Sequence, residues 1–284
     1  MSEVKFNEKL LTPTPRKEKK AREKLFHITK RLDISTRFKV INRVISVVVA
    51  FLVCAIVLNF FAPGKFGTLF SESFDSLTGS KNKIFNSLYE FTLLLGLAIA
   101  VLPAFKMKFW NLGGEGQVII GALCSALVSK YVGPHVPGFL AVVLMILAGV
   151  LGGIIWAVIP AIFKALFDTN ETLFTLMLNY IATVGLVPFF AFMADPDHGT
   201  FAGLTAGVFN FKESSMTSLV PFLIVLAMTG FMFAYLNYTK HGYELSVVGE
   251  TRNTAKYVGI NVRNVFIRTL VLCGALCGII GYFM

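Results

Sequence analysis

Residues 139–162 read FLAVVLMILAGVLGGIIWAVIPAI, an uncharged stretch in which nearly every side chain is apolar. A helix of about 20 such residues crosses the roughly 30 Å hydrocarbon core of a bilayer. Comparable runs recur at positions 44–62, 88–105, 112–132, 172–194, 219–236 and 265–284. The sequence therefore predicts an all-α, polytopic membrane helical bundle of about seven spans, with the last one incomplete.

The composition supports lipid as the main solvent of this chain. Of its 284 residues, 55% are hydrophobic and only 15% are charged, and the mean hydropathy is +0.71. These values exclude a soluble globular domain, a disordered chain and a coiled coil. The Cys and His residues are scattered without ligand spacing, so neither a metal site nor a catalytic constellation is predicted.

Basic residues concentrate at the N-terminus. Residues 1–43 hold 13 of the 26 Lys and Arg residues but only 5 of the 16 acidic ones. Because this tail precedes the first apolar run, we interpret it as a cytosolic tail that orients the chain and contacts anionic lipid, rather than as a nucleic-acid-binding segment. The predicted domains are this tail and a transmembrane domain at 44–284, which includes a cytosolic loop at 237–264.

The remaining basic residues agree with a cytosolic N-terminus. If successive spans alternate in direction, seven more of them lie inside: Lys106, Lys108, Lys164, Lys240, Arg252, Lys256 and Arg263. Five lie outside or at the outer boundary: Lys65, Lys81, Lys83, Lys130 and Lys212. This asymmetry favours a multi-pass protein of the plasma membrane with its N-terminus in the cytosol.

The first polar cluster, WNLGGEGQ at 110–117, interrupts the apolar pattern. Its three glycines predict a broken or re-entrant helix near 109–117, with Asn111 as N-cap and Glu115 in the first turn. Transporters use such breaks to meet a polar substrate. The candidate pathway residues here are Asn111, Gly113, Gly114, Glu115 and Gln117. Alternatively, the glycines allow close helix packing and Glu115 completes a cap.

A second cluster, DTNET at 168–172, precedes the run LFTLMLNY. Asp168 and Glu171 have the spacing of a capping box, which explains them as helix-start residues. Asn179 lies about two turns further into the span. It is interpreted equally well as a polar contact between helices or as a substrate contact.

The third cluster lies in the loop at 237–264. Arg252 and Lys256 are four residues apart on a predicted short helix, which Gly249 and Gly259 bracket, and Ala255 is a small residue between them. The helix is either a solvated connection or a segment that docks into a groove of a cytosolic partner.

Together these clusters resemble the permease subunits of bacterial ABC importers for nucleosides and simple sugars, in the branched-chain amino acid and ribose type of permease. The matching segments are FWNLGGEGQ at 109–117, NETLFTLMLNYIA at 170–182, and VVGE through YVGI at 247–260. The likeness covers about residues 88–284. The family normally continues with further spans after the position of Met284, so the chain is expected to be C-terminally truncated.

The resemblance implies a transport subunit without its own ATPase site, in the bacterial plasma membrane. It binds no cofactor directly, because a separate cytosolic ATP-binding subunit uses ATP. The other implied partners are a second, homologous or identical permease subunit and an extracytoplasmic substrate-binding lipoprotein. By resemblance, Asn111, Glu115 and Gln117 belong to the pathway. Four residues belong by resemblance to the coupling segment that contacts the ATPase, Gly249, Arg252, Ala255 and Gly259, and Lys256 on the same short helix is the fifth candidate coupling residue.

An ion-gradient-driven secondary transporter of a small polar solute is the main alternative. Such a protein is expected to have a second broken helix related to the first by an inverted repeat, and the sequence contains one convincing break. A membrane enzyme is disfavoured because no nucleophile with a neighbouring base is apparent.

Overall fold

The chain folds into helices. The computed structural model describes residues 35–61, 64, 66–194 and 218–284, and this part of the chain contains no β-strand. Its α-helices are α1 (Thr36–Phe61), α2 (Phe66–Thr78), α3 (Lys81–Lys106), α4 (Gly114–Tyr131), α5 (Gly138–Phe167), α6 (Glu171–Tyr180), α7 (Val187–Ala194), α8 (Leu219–Tyr238), α9 (Lys240–Glu250), α10 (Arg252–Tyr257) and α11 (Val262–Phe283). Most of the predicted basic tail and the loop at 195–217 lie outside the described residues.

Six helical segments in the described ranges are long and apolar enough to cross a membrane. They are Thr36–Phe61, Lys81–Lys106, Gly138–Phe167, Glu171–Phe192, Leu219–Tyr238 and Val262–Phe283. The predicted polytopic helical bundle is therefore confirmed. Helix α4, which was predicted as the third of about seven spans, is not among the six. Glu115, Gln117 and Lys130 lower the hydropathy of its 18 residues.

Two compact units divide the chain, residues 1–67 and residues 68–284. In the first unit, α1 begins at Thr36, eight residues before the apolar run that starts at position 44. Arg37, Lys39 and Arg43 extend the helix because long straight side chains are good helix formers. Only Ala55 of α1 is buried, so this helix exposes its apolar side chains to the surrounding solvent.

The core of the second unit is a close contact between α4, α5 and α11. A Cβ atom added to Gly153 of α5 would lie 2.2 Å from the carbonyl oxygen of Gly274 in α11. One added to Gly278 of α11 would lie 2.2 Å from the carbonyl oxygen of Gly149. Small residues thus bring the backbones together, as is common between helices in membranes.

The predicted break between α3 and α4 is present. Helix α3 ends at Lys106, the chain turns at Lys108 with a positive φ of 56°, and α4 begins at Gly114. The predicted N-cap was wrong, because Gly113 occupies that position and no side chain caps the helix. Asn111 accepts a hydrogen bond from the Gly113 N–H at 3.1 Å instead, and so shapes the turn before the helix.

A π-helical turn at residues 181–186 joins α6 to α7. Pro188 follows two residues later; it lacks an N–H group, and in a regular α-helix its ring would crowd the carbonyl of Val184. A π turn widens the helix locally and relieves this crowding. The predicted span at 172–194 is therefore one helix with an altered middle.

Candidate transport and coupling site

Asn179 connects α6 to the start of α4. Its side-chain Nδ2 donates to the Leu112 carbonyl at 2.6 Å, and its Oδ1 accepts from the Gly116 N–H at 2.8 Å. The residue is 8% exposed. Because both polar ends of the amide bind the backbone on either side of the α4 start, Asn179 fixes where that helix begins.

A second pair of amides lies within the break. Asn111 and Gln117 are 3% and 1% exposed, and Gln117 Nε2 lies 3.5 Å from Asn111 Oδ1. Three buried polar atoms near the α4 start have no hydrogen-bond partner among the described residues: Asn111 Nδ2, Gln117 Oε1 and Trp156 Nε1. Buried polar groups are normally paired. The α4 start thus holds two donors and one acceptor with unused capacity.

The other predicted pathway residues have different environments. Gly113 and Gly114 are buried, and a Cβ on Gly114 would lie 2.7 Å from a methyl carbon of Val101 in α3. Glu115 is exposed in the first turn of α4 and binds no other described residue. The structure therefore brings Asn111, Gln117 and Asn179 together and leaves the Glu115 carboxylate outside this group.

The loop after α8 packs directly on the break. Leu245, Val248 and Ala255 share one buried apolar cluster with Met107 and Phe109. This shared burial means that α9 and α10 cannot move far without disturbing the chain between α3 and α4.

Gly249 makes the closest of these approaches. A Cβ atom on Gly249 would lie 2.3 Å from the Lys106 carbonyl oxygen, where α3 ends. Both groups belong to the backbone, so no side chain can rotate away. A residue without a Cβ is therefore required for α9 to lie against the end of α3.

Arg252, the first residue of α10, contacts Phe266 of α11 and Asp168 at the end of α5. Its guanidinium lies 5.2 Å from the centre of the Phe266 ring, and that ring lies 5.9 Å from the Phe109 ring in the break. Its Nη1 also donates to Asp168 Oδ1 at 3.2 Å. One side chain thus connects α10 to the break and to the turn between α5 and α6.

Lys164 extends this connection into α6. Its ammonium lies 2.9 Å from Asp168 Oδ1 and 2.7 Å from Glu171 Oε2, and it donates to the Thr169 carbonyl at 2.9 Å. The hydrogen bond and the charge of Lys164 lower the pKa of Asp168, and Arg252 lowers it further. The side chain of Lys164 is only 7% exposed, so a buried cation joins α5, α6 and, through Asp168, α10.

The capping box predicted for Asp168 and Glu171 is wrong. Asp168 ends α5 in a left-handed conformation with φ 48°, and Asn170 is the N-cap of α6 through a hydrogen bond from the Leu173 N–H. Sequence reasoning also missed Lys164 as a site residue. The spacing of four residues between Lys164 and Asp168 was a usable signal, since such pairs are neighbours on a helix.

Helix α10 buries Ala255 and presents Lys256 and Tyr257 outward. The short helix predicted around Arg252 and Lys256 is present, and Gly259 follows it with φ 81°. Ala255 is fully buried, Lys256 is exposed and Tyr257 is 93% exposed. Of the five predicted coupling residues, Gly249, Arg252 and Ala255 thus bind the bundle, whereas Lys256 and Gly259 lie on its surface.

Comparison with known proteins places this chain in a family. Residues 83–284 match the family model described as the permease component of the branched-chain amino acid transport system. The chain is 26% identical to the guanosine ABC transporter permease protein NupP of Bacillus subtilis (strain 168), over 66% of this chain and 55% of that protein.

A second relative gives a longer alignment. It is the nucleoside ABC transporter permease protein NupB of Lactococcus lactis subsp. cremoris (strain MG1363), which is 27% identical over 86% of this chain and 70% of that protein. The chain thus spans little more than half the length of NupP. No solved structure matches it.

Proposed function

We propose that this chain, which belongs to the family of branched-chain amino acid transport system permease components, is the transmembrane subunit of an ATP-driven importer of nucleosides or simple sugars. Family membership, together with the two nucleoside ABC transporter permeases among its relatives, carries this proposal. Nucleosides are the favoured substrate class within it.

The proposal includes the assembly and its orientation. ATP is bound and hydrolysed by a separate cytosolic subunit, a second permease subunit completes the pathway, and an extracytoplasmic binding lipoprotein delivers the substrate. The N-terminus lies in the cytosol of a bacterial cell, as the distribution of Lys and Arg favours. In this orientation the α9–α10 segment and the break at 107–113 both lie near the cytosolic side.

The break supplies the substrate contacts. In our proposal the unpaired amide atoms of Asn111 and Gln117 bind substrate when the bundle opens, because buried groups with unused capacity gain most from a polar ligand. The exposed Glu115 carboxylate lies at the entrance to this site. Gly113 and Gly114 allow the turn, and Asn179 positions the helix start.

The α9–α10 segment couples the partner ATPase to this site. Lys256, Tyr257 and Gly259 form the outward surface that docks on the ATPase. Movement of α10 reaches α6 through Arg252 and Asp168. It also reaches the break through the packing of the Arg252 guanidinium on Phe266. Arg252 therefore takes part in both routes, the one from α10 to α6 and the one from α10 to the break.

Uptake measurements test the function. The chain is expressed with its neighbouring ATPase, second permease and lipoprotein genes in a bacterium that lacks nucleoside uptake, and radiolabelled nucleosides and ribose are supplied. We expect nucleoside uptake that vanadate inhibits and that persists when an ionophore collapses the proton gradient. Uptake that follows the ion gradient and ignores vanadate would instead identify a secondary transporter.

Labelling tests the orientation. A cysteine replacing Arg252 is expected to react with a membrane-impermeant maleimide only after the cells are permeabilised. A cysteine replacing Lys81, at the start of α3, is the matched control and reacts in intact cells. Both are made with Cys54 changed to Ala, because Cys54 is exposed. The reverse pattern would invert the topology.

A further inference from the structure

A polar cavity of 360 Å³ lies between α9, α11 and the turn that joins α10 to α11. The residues that give it its charge and hydrogen-bonding capacity are Lys240, Glu244, Asn261, Asn264 and Arg268. The apolar core clusters and the amide group in the break do not include these residues. The cavity is therefore separate from the proposed substrate site.

Arg268 is the unusual member of this set. It lies in α11, a helix that is apolar enough to span the membrane, seven residues after the N-cap Asn261 and thus about 10 Å along the axis. It is exposed and forms no hydrogen bond or ion pair with another described residue. A cation at this depth needs an anion or water, and its long side chain reaches toward the membrane surface.

The other charges in the cavity leave Arg268 uncompensated. Lys240 Nζ lies 4.0 Å from Glu244 Oε1 with the Lys240 side chain 91% exposed, so this ion pair is weak, and the three charged side chains of the cavity sum to one positive charge. The cavity therefore carries about one net positive charge. Asn261 and Asn264 add side-chain amides beside it, and the positive end of the α11 dipole lies at the same place.

We propose that this cavity binds the phosphodiester of a phospholipid headgroup, with Arg268 as its main cation. A phosphodiester carries one negative charge, which matches the net charge of the cavity. Free phosphate at neutral pH is a mixture of singly and doubly charged ions, and the Glu244 carboxylate disfavours the doubly charged form. The long side chain of Arg268 can reach from within the span toward the membrane surface, where lipid phosphates lie. The site would anchor α11 beside the coupling segment.

Lipid binding to the purified full-length chain tests this site without any transport assay. The chain is delipidated in detergent and titrated with short-chain phosphatidylglycerol, and bound lipid is counted by native mass spectrometry. We expect one tight site that Arg268→Gln weakens about tenfold, the effect of losing one charge-assisted hydrogen bond. Arg268→Lys should retain most of the binding.

Arg263→Gln is the matched control. It removes the same charge from the same helix and leaves the basic N-terminal tail intact, but Arg263 does not line the cavity. Binding that falls equally in Arg263→Gln and Arg268→Gln would overturn the proposal, since the lipid would then respond only to overall charge. Displacement of the lipid by millimolar inorganic phosphate would also overturn it, because the site would then select a free anion. Gel filtration establishes that each variant is folded.

Discussion

Replacing Gly249 by Ala tests whether the contact between α9 and the end of α3 is as close as described. The added Cβ would lie 2.3 Å from the Lys106 carbonyl oxygen, whereas an ordinary contact is at least 3.4 Å. The two backbones must therefore separate by about 1 Å. Overpacking of this kind costs about 1–3 kcal/mol. Ala stabilises a helix by about 1 kcal/mol relative to Gly, which offsets part of the overpacking. The net loss in the free energy of unfolding is therefore about 1 kcal/mol.

Gly230→Ala is the matched control. Gly230 lies within α8, and a Cβ there would meet nothing within 4 Å, so this variant should gain stability from helix propensity alone. We expect Gly249→Ala to unfold at a temperature several degrees below Gly230→Ala, as followed by fluorescence-detected gel filtration of heated, solubilised protein. ATP consumed per substrate imported should also rise in Gly249→Ala. Equal melting temperatures for the two variants would refute the close contact.

Three further substitutions have defined outcomes. Asn179→Ala should lower the free energy of unfolding by about 1–3 kcal/mol, because it removes two hydrogen bonds to the start of α4. Thr183→Val loses only a bond within its own helix and should melt near the temperature of the unmodified protein. Equal losses of stability in the two variants would contradict the role of Asn179. Asp168→Asn should change stability only slightly, because the Asp168 side chain is exposed in its pairs with Lys164 and Arg252 and Glu171 still pairs with Lys164, but it should raise ATP hydrolysis per nucleoside imported in reconstituted complexes. Burial lowers the pKa of His241 below its ordinary value of 6.5, so folded protein favours the neutral ring and stability should fall as pH drops through 6.5. His241→Ala should flatten the dependence of melting temperature on pH between about 7 and 5.5; an unchanged slope would assign the effect to another group.

The sequence predicted the helical spans well because each membrane helix requires a long run of apolar residues. About 20 apolar residues are needed for each crossing, and this requirement is visible without knowing any contacts. The break before α4 was equally visible, since three glycines in four residues do not favour a continuous helix. Helix α4 is less apolar than the other spans because Glu115, Gln117 and Lys130 lie at its ends, so its crossing of the membrane stays a prediction.

The contacts between clusters could not be predicted in the same way. Asp168 and Arg252 are 84 positions apart, and nothing local in either segment specifies that they meet. The capping-box spacing at Asp168 misled because the left-handed conformation that ends α5 competes with a helix start at the same residue. Asn179 showed that a polar group at depth needs a partner, but the partners are backbone atoms of another helix, which carry no sequence signature.

The π turn at 181–186 changes how the span around it presents its side chains. Compared with an uninterrupted α-helix, it inserts one extra residue, which rotates everything downstream by about 100° around the axis. A helical wheel drawn from Glu171 through Phe192 therefore assigns the wrong face to residues after Leu186. Removing a single residue from this turn would swing Phe189 and Phe192 onto a different side of the helix, with a change in lipid contact out of proportion to so small a deletion.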